Sequence, residues 1–129
     1  MNNKLFVYGT LLDDENKYGI FLRDNSSFFA AGKVKGKLYD IGEYPGAILL
    51  HEGNEYIYGT LLQIDNPVEV LAVIDLYEGF GDDQPQPNEF IRVLIEADTE
   101  SGPVDCWIYL YNLPTNDLVA IKEGRYFKQ

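Results

Sequence analysis

The segment "IDLYEGF" closes on two carboxylates, Asp75 and Glu78, three residues apart. If it ends a helix, the backbone dipole there disfavours negative charge, and a spacing of three puts both acids on one face. Each effect raises a carboxyl pKa. Tyr77 and Phe80 flank Glu78 and would add desolvation, which pushes the same way and toward a group able to carry protons near neutral pH. A solvated surface acid in a very acidic chain is the competing reading. The spacing is too short for the opposed carboxylates of a glycosidase.

A second feature is the pentapeptide Tyr-Gly-Thr-Leu-Leu, present at Tyr8 to Leu12 and again at Tyr58 to Leu62. In the second copy Tyr56, Tyr58, Thr60 and Leu62 alternate with Ile57, Gly59, Leu61 and Gln63, the period of a strand interior. In the first, a β-rich run "KLFVYG" is complete at Tyr8, and Gly9 allows a turn into polar "DDENKYG". Consecutive main-chain N–H groups at such a junction can hold a carboxylate or phosphate, although an ordinary strand-to-loop junction spells the same residues. The flanks of the two copies differ, which argues against a tandem repeat.

The remaining reactive residues are few. Cys106 is the single cysteine and reads as a strand side chain within "VDCWIYLY"; His51 is the single histidine and falls in a turn, "LLHEGNEYIYG". Asp13, Asp14 and Glu15 lack the spaced Asp/Asn-Gly pattern of a calcium loop and read as a capping or solvated cluster. No metal site is expected.

These residues need elements to position them. Strands are expected at "KLFVYG", at "KVKGKLYDIG" with Val34, Gly36 and Leu38 on one face, on both sides of the His51 turn, and at "EFIRVLIEA" and "DCWIYLYN". A short helix is expected between Asp13 and Arg23, with Tyr18, Phe21 and Leu22 on one side. A longer one should run from an Asn66 cap and Pro67 to a Gly79 stop, carrying Val70, Leu71, Ile74 and Tyr77 as an apolar stripe. Roughly six strands and one or two helices with several hairpins indicate α+β with a mixed or barrel-like sheet.

The 129 residues suit one domain spanning 1–129. A formal charge of -11, from 10 Lys plus Arg against 21 Asp plus Glu, repels phosphate backbones and anionic lipid, so no nucleic acid and no membrane is expected as partner. No apolar run has the length of a membrane span and the start "MNNKLFVYG" is not a secretion signal, so a cytoplasmic protein is the expectation.

Taken in order, "VYGTLL", "YPGA" at Tyr44 to Ala47, "IDLYEGF", "CWIYLY" and "IKEGRYF" resemble the γ-glutamylcyclotransferase-like family, which includes γ-glutamylamine cyclotransferases and plant avirulence-induced proteins. The resemblance runs from Leu5 to about Phe127. It implies a small mixed β-barrel with one or two flanking helices and a cavity at one side. It gives Tyr8, Gly9, Thr10 and Leu11 the glutamyl part of the substrate, makes Glu78 the general acid/base, and sets Tyr109 on a late strand near the cavity. By the same resemblance, the first pentapeptide is the binding loop and the second a strand. "GRYF" stands where the family more often has Gly-Asp-Trp.

The implied reaction is internal aminolysis. The α-amino group of a γ-glutamyl compound attacks its own γ-carbonyl, giving 5-oxoproline and a free amine. No enzyme nucleophile, cofactor or metal is required, which suits a chain with one Cys, one His and three serines. The expected partner is a small γ-glutamyl substrate; the leaving amine and the oligomeric state stay open. The alternative is a noncatalytic small-molecule binding or interaction protein that keeps the cavity.

Overall fold

Residues 4–8 alternate so that Leu5 and Val7 face one way and Phe6 and Tyr8 the other, and both faces are buried. A strand buried on both sides requires two separate apolar layers. The computed structural model, which describes residues 1–9, 16–42 and 44–125, supplies them. Leu5 and Val7 pack with Leu22, Leu71 and Ile74 beneath the helices, whereas Phe6 and Tyr8 pack with Leu38, Ile57, Leu61 and Ile108 inside a barrel.

The barrel is built from β1 (Lys4–Val7), β2 (Ser26–Asp40), β4 (Tyr56–Ile64), β5 (Phe90–Thr99) and β6 (Gly102–Tyr111). Its strand order β2-β4-β1-β6-β5 closes through pairing of Lys33 with Asp98. The β1–β6 contact, Leu5 opposite Trp107, is parallel and the other pairings are antiparallel, so the barrel is mixed. The long β2 continues past the barrel, where β3 (Pro45–Leu49) and β7 (Val119–Ile121) pair on either side of Leu38. Val34, Gly36 and Leu38 are buried, the face that alternation with Lys33, Lys35 and Lys37 indicated.

Two helices cover the outside. Helix α1 (Lys17–Asp24) begins at Asn16, whose side chain accepts hydrogen bonds from the N–H groups of Tyr18 and Gly19. Asp13 to Glu15, expected to open this helix, lie outside the described residues. Helix α2 (Pro67–Glu78) buries Val70, Leu71 and Ile74. Asn66 does not cap it through its side chain as expected; it adopts a left-handed conformation, φ 46°, that Asn tolerates better than most residues. Gly79, φ 74°, ends the helix, and the Phe80 N–H closes the turn onto the Asp75 carbonyl at 2.9 Å. Among the described residues no helix is long and apolar enough to cross a membrane.

The second pentapeptide copy is the interior of β4, paired in register with β1: Thr60 opposite Val7, Leu61 opposite Phe6 and Leu62 opposite Leu5. Gly59 is required by contact. A Cβ there would lie 2.4 Å from the Val7 carbonyl oxygen and 2.8 Å from the Phe6 ring. Because one of these neighbours is backbone, Gly59→Ala should lower stability by about 1–3 kcal/mol in urea unfolding; an unchanged midpoint would show that β1 and β4 can separate freely.

Candidate active site

Where the barrel interior meets the C-terminal end of α2, a cavity of about 160 Å³ opens. Its inner wall is Phe6, Tyr8 and Gly9 from β1 and the residues after it. Tyr44 and Pro45 close one side and Tyr77 and Glu78 another, with Glu89, Phe90 and Tyr109 completing the ring. Of the expected site residues, Tyr8, Gly9, Glu78 and Tyr109 thus meet at one cavity, whereas Thr10 and Leu11 lie outside the described residues.

Glu78 is the last residue of α2, in a final turn that carries no basic residue. The residue keeps partial contact with solvent, yet its carboxyl is enclosed enough that burial pushes its pKa from 4.5 up to about 8, helped by the charges of Glu89 and then Asp75. Desolvation and like charge both penalise the ionised form. Asp75 acts across the helix turn, as its spacing indicated. It is itself held away from the cavity: Arg92 grips it with Nε at 2.8 Å and a second nitrogen at 3.1 Å, and the Tyr109 hydroxyl donates to it at 2.6 Å. The Arg92 guanidinium lies 4.5 Å from the Trp107 ring and 5.8 Å from that of Phe80, cation–π contacts that help to hold the fork.

Of the four cavity tyrosines, Tyr8 and Tyr109 spend their hydroxyls on structure. Tyr8, whose pKa is pushed up by burial and then by the Glu78 charge, donates to the Tyr109 carbonyl, and Tyr109 donates to Asp75. They offer rings to the cavity while their protons tie β1 to β6 and β6 to α2. Gly9 packs so closely on Pro45 that an added Cβ would lie 2.7 Å from its Cγ. The absence of a side chain at Gly9 therefore lets that residue lie against the start of β3, a contact that "YPGA" alone did not reveal.

Glu89 was not singled out from sequence, where it read as the first residue of a strand. It reaches the cavity because the preceding loop is pinned: buried Asn88 accepts from the Gly81 N–H at 3.1 Å and donates to the carbonyls of Gly81 and Pro85 at 3.0 and 3.1 Å. The Asn112 N–H donates to the Glu89 carbonyl at 2.8 Å, and the Tyr44 hydroxyl donates to Glu89 Oε2. Arg92 was missed too. Its signal was an arginine within an otherwise apolar strand, which demands a partner.

Other sequence candidates lie elsewhere. His51 is exposed in its turn, and Cys106 is buried in the barrel with its thiol pushed up to about 12 by burial, then by Asp105.

Comparison with known proteins agrees with this geometry. The family profile described as "Gamma-glutamyl cyclotransferase, AIG2-like" matches residues 5–128. The chain belongs to this family. Among relatives of the γ-glutamylcyclotransferase-like chain, a Vibrio cholerae protein named "Putative gamma-glutamylcyclotransferase" is 32% identical over 86% of this chain and 84% of its own. The γ-L-glutamyl-butirosin B γ-glutamyl cyclotransferase of Niallia circulans is 29% identical over 84% of this chain and 66% of its own, just under two thirds of that protein. The crystal structure of a mouse AIG2-like protein superposes with a TM-score of 0.73 over 97% of this chain and 88% of that one; at 19% identity it speaks for the fold.

The displaced Glu78 carboxyl has a consequence for stability. Between pH 4.5 and about 8 the folded protein holds a proton that the unfolded chain has released, so this group's contribution falls as pH rises through that window. Glu78→Gln removes the titration. Urea unfolding should therefore show the variant gaining on the parent by about 2–5 kcal/mol between pH 4 and pH 9; a pH-independent difference would contradict the burial of this carboxyl.

Proposed function

We propose that the protein cyclises a γ-glutamyl amide to 5-oxoproline, with Glu78 as the general acid/base. The observation that carries this reading is a carboxyl lifted to about 8 in a cavity that Tyr8 and Gly9 also line. Family membership supports the reaction class.

In this mechanism the glutamyl end lies along Tyr8 and Gly9, folded so that its α-nitrogen approaches the γ-carbonyl carbon. The rings of Tyr8, Tyr109 and Phe90 restrict the conformers of a short flexible chain, and holding the nucleophile against its target removes much of the entropic barrier. Ionised Glu78 takes a proton as the nitrogen forms its bond to the γ-carbon. The same carboxyl then gives that proton to the departing nitrogen as the old C–N bond breaks, so one group serves both halves and returns to its starting state. A pKa near 8 suits both directions near neutral pH.

The noncatalytic alternative shares the cavity but has no use for a displaced carboxyl. The test is 5-oxoproline release from γ-glutamyl amino acids, γ-glutamyl-ε-lysine and simple γ-glutamylamines. Release should fall by roughly 10²- to 10⁴-fold in folded Glu78→Gln, the usual share of a positioned acid/base. Undiminished turnover in the variant would remove Glu78 from the mechanism; silence of the parent on the whole panel would favour the binding protein.

A further inference from the structure

The charges around the cavity are one-sided. Among the described residues that line it, the acidic side chains are Glu78 and Glu89, and there is no Lys, Arg or His. Arg92 is turned away and occupied by Asp75.

The two carboxylates differ in depth and fixation. Glu78 is the more enclosed and is the one that burial displaces. Glu89 is close enough to half-buried Tyr44 and Tyr111 that its charge raises the hydroxyl pKa of both; for each tyrosine, burial is the larger cause. The Tyr44 hydroxyl donates to Glu89 Oε2, which fixes the direction of that side chain. In the proposed pose of a γ-glutamyl amide, the reacting carbon is beside Glu78 and the leaving group extends toward Glu89, the other acidic residue of the lining.

We propose that Glu89 selects the leaving group by charge: the preferred substrates are γ-glutamyl amides whose leaving amine carries a further cationic amino group, and a leaving group ending in a carboxylate is disfavoured. This rests on the reaction proposed above and deepens it. A distal ammonium gains a charge-assisted hydrogen bond to an already oriented carboxylate, while an anionic end is brought against Glu89 with no lining cation among the described residues. The chain's formal charge of -11 adds attraction for cations during encounter.

A charge series tests this: γ-glutamyl conjugates of 1,4-diaminobutane, of n-pentylamine, in which a methyl replaces the distal ammonium, and of 5-aminopentanoate. The parent should show kcat/KM for 5-oxoproline release falling in that order, with the diamine about 10- to 100-fold above the pentylamine, the range of one hydrogen bond to a charged group. In Glu89→Gln the diamine-to-pentylamine ratio should collapse toward one. Because Glu89 also raises the Glu78 pKa, the variant alters every substrate's rate; the ratio within one protein cancels that common effect. Release from all three conjugates without charge preference, or a preference that survives Glu89→Gln in a protein of native circular dichroism, overturns the selection while leaving cyclisation intact. No release from any of the three overturns both.

Discussion

A carboxyl group placed at the C-terminal end of a packed helix, in a cavity lined by aromatic rings and a second acid, is the constraint around which this molecule is arranged. Every local force on Glu78 opposes its ionisation: burial, the carboxylates of Glu89 and Asp75, and a helix end without a basic residue. What keeps the site from simply accumulating negative charge is the disposal of Asp75 into an Arg92 fork, closed on a second side by the Tyr109 hydroxyl. Asp75 thus remains close enough to bias Glu78 while its own charge is compensated. Gly79 makes the sharp turn that lets the helix stop at the cavity edge.

The barrel supports this by giving strands two jobs. In β1 one face carries the helix layer and the other fills the barrel, so the chain leaves the strand at Tyr8 already inside the cavity wall. In β6, Cys106 and Ile108 point inward while Tyr109 turns to the helix side and meets Asp75. The Tyr8 hydroxyl bonded to the Tyr109 carbonyl links these two strands at the level of the site. A rigid sheet therefore fixes one wall and a helix terminus the other, with the pinned loop before Glu89 closing the gap between them.

Much of this was legible before any coordinates. Alternation in "KVKGKLYDIG" and "YIYGTLLQI", and the helical stripe of Val70, Leu71 and Ile74, are local patterns with local physical causes, and they hold. A raised Glu78 carboxyl was one of two readings that helix position and neighbours left open, and of the causes of its shift only Asp75, the smallest, acts within one turn. What stayed hidden was long-range. Glu89 faces Glu78 from eleven positions along the chain (89 against 78) through a loop held by Asn88 and Asn112, and Arg92 finds Asp75 across the interface of β5 and α2. Neither pairing has a periodicity to betray it. The side-chain cap expected of Asn66 failed for a simpler reason: that residue took the left-handed turn instead.

The central claim is that Glu78 carries a proton in the folded protein at a pH where an ordinary carboxyl has lost it. Titration of the side-chain carboxyl by NMR in selectively carbon-13-labelled glutamate, with Glu78 assigned by its loss in Glu78→Gln, tests this most directly. A midpoint near 8 is expected for that one resonance; a midpoint in the ordinary carboxylate range, near 4.5, would contradict the account.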